Sequence, residues 1–266
     1  MKLSKYFFPF SFIVIIAALS CCRKVVNVNL NNAAPLYVIE ANVTDQSGPY
    51  TVTITKSVNF TQDNVYPTVS GAIVVITDNT ANIADTLKET TPGSYNTSML
   101  TGVPGHKYSL YVNANSNIFT GSCTMPQAIT LDSLYTQLSS FRGNSHRVVP
   151  VYTDPVVRGN YYHFVEIKND SMMSGIYIRN DDLVNGQTIS EPLGGGGGGS
   201  QIIPGDVVAI YMECIDSAMY QYYYGLQQST NQNSASPANP ESNITGGCLG
   251  YFSAHTSSSK SLVVVP

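Results

Sequence analysis

Three carboxylates stand inside apolar, strand-like runs: Glu40 in 36–43, Glu166 in 161–168 and Glu213 in 207–215. Two such groups facing one another in a cleft would do general acid–base work, the chemistry of an envelope hydrolase. Alternation within each run instead assigns each glutamate to the solvent side of its strand. The histidines (His106, His146, His163, His255) are scattered, so a metal site would require the fold to gather them. Neither a Gly-x-Ser-x-Gly elbow nor a His-Glu-x-x-His pair is present. Six glycines at 194–199 are not followed by Lys-Ser/Thr, which excludes a phosphate loop there. Asn180-Asp181-Asp182, with Asn185 and Gly186, offers oxygens to calcium, but the spacing is not that of a helix–loop–helix site. A capped polar turn is the expectation. No catalytic residue, metal or cofactor is therefore predicted.

Cysteine carries a clearer message. Lys2 and Lys5 precede an uncharged run, 6–19, that is too short to span a bilayer and contains Pro9. Ala17-Ala18-Leu19-Ser20-Cys21-Cys22 follows, the pattern of a bacterial lipoprotein signal. The expected lipidation sites are Cys21, with small Ser20 before it, and Cys22, with Leu19 three residues before it. Acyl chains there would anchor the chain to a membrane and leave the remainder in water. Cys123, Cys214 and Cys248 remain. Cys214 and Cys248 either pair in an oxidising compartment or, as their apolar neighbours favour, stay buried thiols.

Charged residues make up 11% of the 266, less than half the usual share, while hydrophobic residues still reach 43%. Ser, Thr and Asn number 29, 22 and 22, and replace the missing charge. With net charge −4 and no Lys/Arg run, the chain lacks the footprint of a nucleic-acid binder. Such a composition excludes coiled coils and helical bundles and predicts a mainly β protein.

Four segments follow: a signal peptide (1–20), a tether (21–35), an Ig-like β-sandwich domain (36–126) and a larger β-rich domain with one helix (127–266). Strand signals in the first domain cover 36–43, 50–55, 72–77, 84–90, 93–97, 108–113 and 118–124. In the second they cover 131–138, 148–152, 161–168, 176–179, 207–215, 250–255 and 262–265. The stripe Ile215, Ala218, Met219, Tyr222, Tyr223, Leu226 has helical spacing and predicts a helix over about 215–228, capped by Asp216, with Tyr220 and Tyr224 facing outward. Residues 194–199 and 229–243 read as mobile surface loops, and 194–201 and 229–248 are the candidate contact segments.

The order of motifs resembles a known family. It runs through Gly48-Pro49-Tyr50-Thr51-Val52, Pro67-Thr68-Val69-Ser70-Gly71-Ala72, Gly93-Ser94-Tyr95 and Pro104-Gly105-His106-Lys107-Tyr108. Asp132-Ser133-Leu134, Gly159-Asn160-Tyr161-Tyr162, Pro204-Gly205-Asp206 and Gly246-Gly247-Cys248-Leu249-Gly250-Tyr251 continue it. This is similar to the domain-of-unknown-function family 4249, lipoproteins of Bacteroidota-type cells. The resemblance implies an outer-membrane lipoprotein, an accessory to TonB-dependent outer-membrane β-barrel transporters. Residues 67–112 also resemble the Ig-like modules of such transporters. Surface-exported members often carry acidic residues after the lipidated cysteine; here the run is Arg23-Lys24-Val25. The periplasmic and surface faces both stay open.

Some bacteria of that group O-glycosylate envelope proteins at Asp-Ser/Thr followed by Ala, Ile, Leu, Val, Met or Thr. Thr86, Ser133, Ser171 and Ser217 fit that pattern, where about one match is expected by accident. The leading expectation is a non-enzymatic accessory or ligand-capture partner of a transporter. A stand-alone glycan- or peptide-binding adhesin, stacking on Tyr161, Tyr162, Tyr223 and Tyr251, is the alternative, with the hydrolase third.

Overall fold

The structure, a computed structural model, describes residues 34–59, 62–139, 143, 145–194, 201–230 and 239–266. Cys21, Cys22, the signal segment and all of the tether but Ala34 and Pro35 lie outside the described residues. Residues 35–266 form one compact unit.

The chain is mainly β, as its composition predicts. The strands are β1 (Tyr37–Thr44), β2 (Thr51–Lys56), β3 (Ile73–Asp78), β4 (Ile83–Thr86), β5 (Lys88–Thr91), β6 (Ser94–Asn96), β7 (Lys107–Ala114), β8 (Asn117–Thr124), β9 (Leu131–Leu138) and β10 (His146–Thr153). They continue as β11 (Tyr161–Lys168), β12 (Ser171–Met172), β13 (Tyr177–Asn180), β14 (Thr188–Ser190) and β15 (Val207–Ile215). Helix α1 (Ser217–Thr230) precedes β16 (Ile244–Thr245) and β17 (Leu249–Val263).

A nine-stranded sheet runs β12-β11-β15-β17-β1-β2-β6-β5, with β13 also pairing with β11. One face is covered by two smaller sheets: β16-β8-β7-β3-β4 over one half and β14-β10-β9 over the other. Alternation explains the packing. Ile39, Ala41 and Val43 of β1, Val52 and Ile54 of β2, and Phe252 and Ala254 of β17 point the same way and meet Val74, Ile76, Leu110, Val112 and Phe119. In the other half, Val208, Ile210, Met212 and Cys214 of β15 and Tyr162 and Phe164 of β11 meet Leu131, Val148, Tyr152 and Ile189. The result is a sandwich with two hydrophobic cores behind one long sheet.

β17 joins the two cores. The sequence predicts two separate strands, 250–255 and 262–265; the structure has one of fifteen residues. Its first half pairs in parallel with β1, Val38 to Thr44 against Leu249 to His255. Its second half pairs antiparallel with β15, Val207 to Cys214 against Val263 to Thr256. The polar run from Thr256 to Ser261 stays extended because β15 supplies the ladder, a partner that local propensity cannot register. Gly250 makes the junction possible: its φ is +96°, and a Cβ there would sit 2.0 Å from the Ile39 carbonyl oxygen.

A second departure lies at Leu87. The single strand predicted over 84–90 is two strands in different sheets, β4 beside β3 and β5 beside β6. Leu87 is buried at the corner and its N–H donates to the Val74 carbonyl. The helix lies two residues further along than the stripe places it, and Asp216 caps it by accepting from Met219 N at 2.9 Å.

Candidate functional site

The face of the long sheet opposite the cores is polar, and α1 lies over part of it. Side chains two apart on each strand share this face. β17 brings Tyr251, Ser253 and His255; β1 brings Glu40 and Asn42 alongside them; β15 and β11 bring Glu213 and His163 directly opposite one another. From the helix, Tyr223 stacks on the His163 ring (centroids 4.0 Å apart, 11° between planes), and Tyr222 packs on Tyr251 at 5.0 Å.

At the centre one carboxylate stands between two imidazoles. Glu213 Oε2 is 2.8 Å from His163 Nδ1, and Glu213 Oε1 is 3.7 Å from His255 Nε2. Ser253 Oγ lies 3.0 Å from His255 Nδ1. Burial pushes His255 below the usual histidine value and outweighs the pull of Glu213. For Glu213, burial acts upward, but the His163 hydrogen bond and the histidine charges outweigh it and hold the carboxyl below its ordinary range. Burial raises the Tyr223 and Tyr251 phenols and pushes Tyr222 up to about 12, so all three stay neutral stacking rings.

Ser253, His255 and Glu213 follow the order of a nucleophile, base and acid. Two measurements separate them from that chemistry. Ser253 is 2% exposed beneath the helix side of the sheet, with no open approach for a substrate, and the His255–Glu213 separation exceeds a hydrogen bond. Tyr223 on His163 and Tyr222 on Tyr251 join α1 to the sheet over this cluster.

The three glutamates diverge from their common expectation. Glu40 is exposed, as predicted. Glu213 is half-buried in the cluster, and Glu166 is buried on the opposite face, among the second core. Burial raises the Glu166 carboxyl, opposed by its hydrogen bond from Tyr177. Solvent exposure failed for Glu213 because α1 lies over its face of the sheet, and for Glu166 because it shares the core-facing side of β11 with Tyr162 and Phe164. The sheet stands between Glu166 and Glu213, so they form no acid–base pair.

Asp181 is buried; its Oδ2 accepts from Gly159 N at 2.8 Å, Asn160 N at 3.1 Å and Asn160 Nδ2 at 3.1 Å. Those donors belong to the turn before β11, so the Asp181 carboxylate ties the 180–186 turn to that one and does not cap its own turn. Among the described residues no group of three His, Cys, Asp or Glu has metal-binding geometry. Cys123, Cys214 and Cys248 are buried free thiols. Cys214 belongs to one core and Cys248 to the other, which removes the pairing alternative. Thr86, Ser133, Ser171 and Ser217 are all exposed. Of the four tyrosines named for stacking, Tyr162 is fully buried and donates to Asp154, while Tyr223 and Tyr251 pack within the cluster. Tyr161 packs against Tyr220 with the rings tilted by 38°, and Tyr224 is exposed.

The His163–Glu213–His255 grouping escapes sequence reading, since it depends on the register of three strands distant in the chain. The one available signal is a histidine or glutamate at the odd position of an otherwise apolar alternation.

A two-core sandwich with a helix-covered polar sheet face is the class that fold and site define. A family model described as "Domain of unknown function (DUF4249)" matches residues 23–261, and the chain belongs to that family. No curated protein matches the chain significantly.

Proposed function

We propose that the protein is an outer-membrane lipoprotein, anchored through an acylated Cys21 or Cys22, that serves as a non-enzymatic accessory or ligand-capture partner of an outer-membrane β-barrel transporter. The observation that carries this reading is the run Ala17-Ala18-Leu19-Ser20-Cys21-Cys22 behind a short basic and apolar segment, followed within fifteen residues by the folded unit that begins at Pro35. An anchor directly before a compact sandwich leaves the whole body available for a partner beside the membrane. The extended, Ser/Thr-rich surface suits recognition by loops held on rigid sheets. The loops 194–201 and 229–248 are the contact candidates; residues 195–200 and 231–238 of them lie outside the described residues.

Purification of the native chain with its associated proteins tests the reading. Recovery of an outer-membrane barrel, together with acyl mass on a mature chain beginning at Cys21 or Cys22, is the expected result. A mature chain without acyl mass, or no barrel in repeated native purifications, refutes it. The same intact-mass measurement reads the exposed hydroxyls of Thr86, Ser133, Ser171 and Ser217: hexose-type increments are expected, and their absence removes the glycosylation proposal.

The adhesin remains as a second reading, favoured by one observation. Tyr161, Tyr220 and Tyr224 form a surface ladder, with ring centroids 5.0 and 6.5 Å apart. Glycan-array binding by the isolated protein, lost in Tyr224→Ala, would favour it over the accessory role.

A further inference from the structure

α1 is a thin cover. Of its fourteen residues only Met219 is fully buried, and its first turn carries no acidic side chain and its last turn no basic one. Asp216 caps its start, and Gln227 Nε2 donates to the Ile176 carbonyl at 3.0 Å. A helix of this length is marginal in water by itself, so its hold comes from what it packs on. Beyond Met219 and the Tyr161–Tyr220 pair, that is the Tyr223 ring on His163 and the Tyr222 ring on Tyr251. Few buried apolar side chains over a polar floor mark an element that opens before the rest of a fold.

The floor holds one carboxylate for two imidazoles. His163 on β11 and His255 on β17 are each 8% exposed, and Glu213 of β15 stands between them. His255 Nδ1 meets Ser253 Oγ, but its Nε2 is 3.7 Å from Glu213, beyond a hydrogen bond. An imidazolium at 255 would keep one N–H away from water without an acceptor in reach. The other groups around the ring do not make this good. β1 brings Glu40, exposed and opposite Tyr251. Asp45, just past β1, commits its Oδ1 to Ser257 N and Gln46 Nε2, each at 3.0 Å. β17 brings Tyr251, and α1 brings Tyr222 and Tyr223, phenols that burial keeps neutral. β13 sets apolar Ile178 against His163.

With the helix lifted, water reaches His255 and solvates the imidazolium, so a proton favours the lifted state. That bias grows as pH falls through 6.5, the ordinary histidine value, below which His255 lies while covered. Glu213 acts in the same sense at lower pH, since its carboxyl is depressed in the closed site. Asp216 acts in the opposite sense, because burial raises its carboxyl under the helix start.

We propose that the His163–Glu213–His255 cluster is an acid-sensitive latch: proton uptake at His255 lifts α1 from the long sheet while both cores stay folded, and uncovers the polar strip beneath it. The latch needs neither the acyl anchor nor a transporter partner, so it stands or falls apart from them.

Hydrogen exchange of the full-length chain, read by mass spectrometry at pH 7.5 and 5.0 and corrected for the intrinsic pH dependence of amide exchange, tests it. Peptides of α1 should be less protected than those of β11, β15 and β17 at both values. Their protection should fall about tenfold at pH 5.0. His255→Gln should remove most of that fall, and His255→Phe provides a second variant should the first not fold. Protection of α1 equal to that of β15 and β17 means that the helix opens only with the whole fold, and overturns the latch. Corrected α1 protection that is the same at both pH values overturns it from the wild-type chain alone. A fall kept in full in a folded His255 variant overturns it as well.

Discussion

The two cores behind the long sheet have the same plan and different chemistry. In the first, buried tyrosines bond to backbone: Tyr95 Oη donates to the Val69 carbonyl at 2.8 Å and accepts from Ala72 N, and Tyr108 Oη accepts from Val103 N at 2.7 Å. Of its buried carboxylates, Asp85 takes the Ser98, Met99 and Leu100 N–H groups and Asp78 pairs with His106 at 2.7 Å. In the second, buried tyrosines meet ionisable side chains: Tyr162 with Asp154 and Tyr177 with Glu166, while Arg179 lies over the Phe164 ring at 5.7 Å. The first half closes mainly on backbone groups, with the Asp78–His106 pair beside them. The second half carries its loops and its helix on charged groups, whose worth depends on pH and on neighbours.

The largest expected effect tests whether β17 makes the halves one cooperative unit. Phe252 is fully buried in the first core on the strand that also pairs with β15. Phe252→Ala should cost about 3–5 kcal/mol, and calorimetry should show one transition moving to lower temperature; two transitions, of which one moves, would separate the halves. Next, Asp154→Ala strips the acceptor from Gly186 N and Tyr162 Oη and should cost about 2–3 kcal/mol. Tyr95→Phe in the first core removes a neutral hydroxyl and should cost about 1–2 kcal/mol. Chemical denaturation that reverses this ranking would end the distinction between the cores.

The pH response sharpens it further. His255 and Glu213 are both depressed in the folded chain, so the unfolded chain binds more protons. Their stabilisation is complete above the unfolded values, 6.5 for histidine and 4.5 for glutamate, and is lost as pH falls through each window. Melting temperature should therefore drop from pH 7 to 5, and His255→Phe should flatten that slope; an unchanged slope would show that the cluster carries no proton linkage. Smaller still, Asp216→Ala removes the cap of α1 and should cost about 1 kcal/mol. Glu40→Gln, on an exposed position, should change stability by less than about 0.5 kcal/mol.

Reading the chain in order recovers the local features well. β9 and β11 lie at the residues that alternation marks, the helix is displaced by two residues, and Asp216 caps it. The β4–β5 corner at Leu87 and the continuity of β17 are missed for one reason: each depends on which sheet supplies the partner. The short strands β12, β14 and β16 are missed because two or three residues carry no period.

Sequence by itself determined the β class and the helix with its cap and inward stripe, because each follows from backbone preference and spacing within a few residues. Tertiary structure alone decided that Glu213 stands between His163 and His255, that Glu166 is buried behind them, and that Cys214 and Cys248 belong to different cores. Strand register sets those neighbours, and register is fixed by ladders between segments up to two hundred residues apart, where a shift of one residue would turn every side chain to the other face.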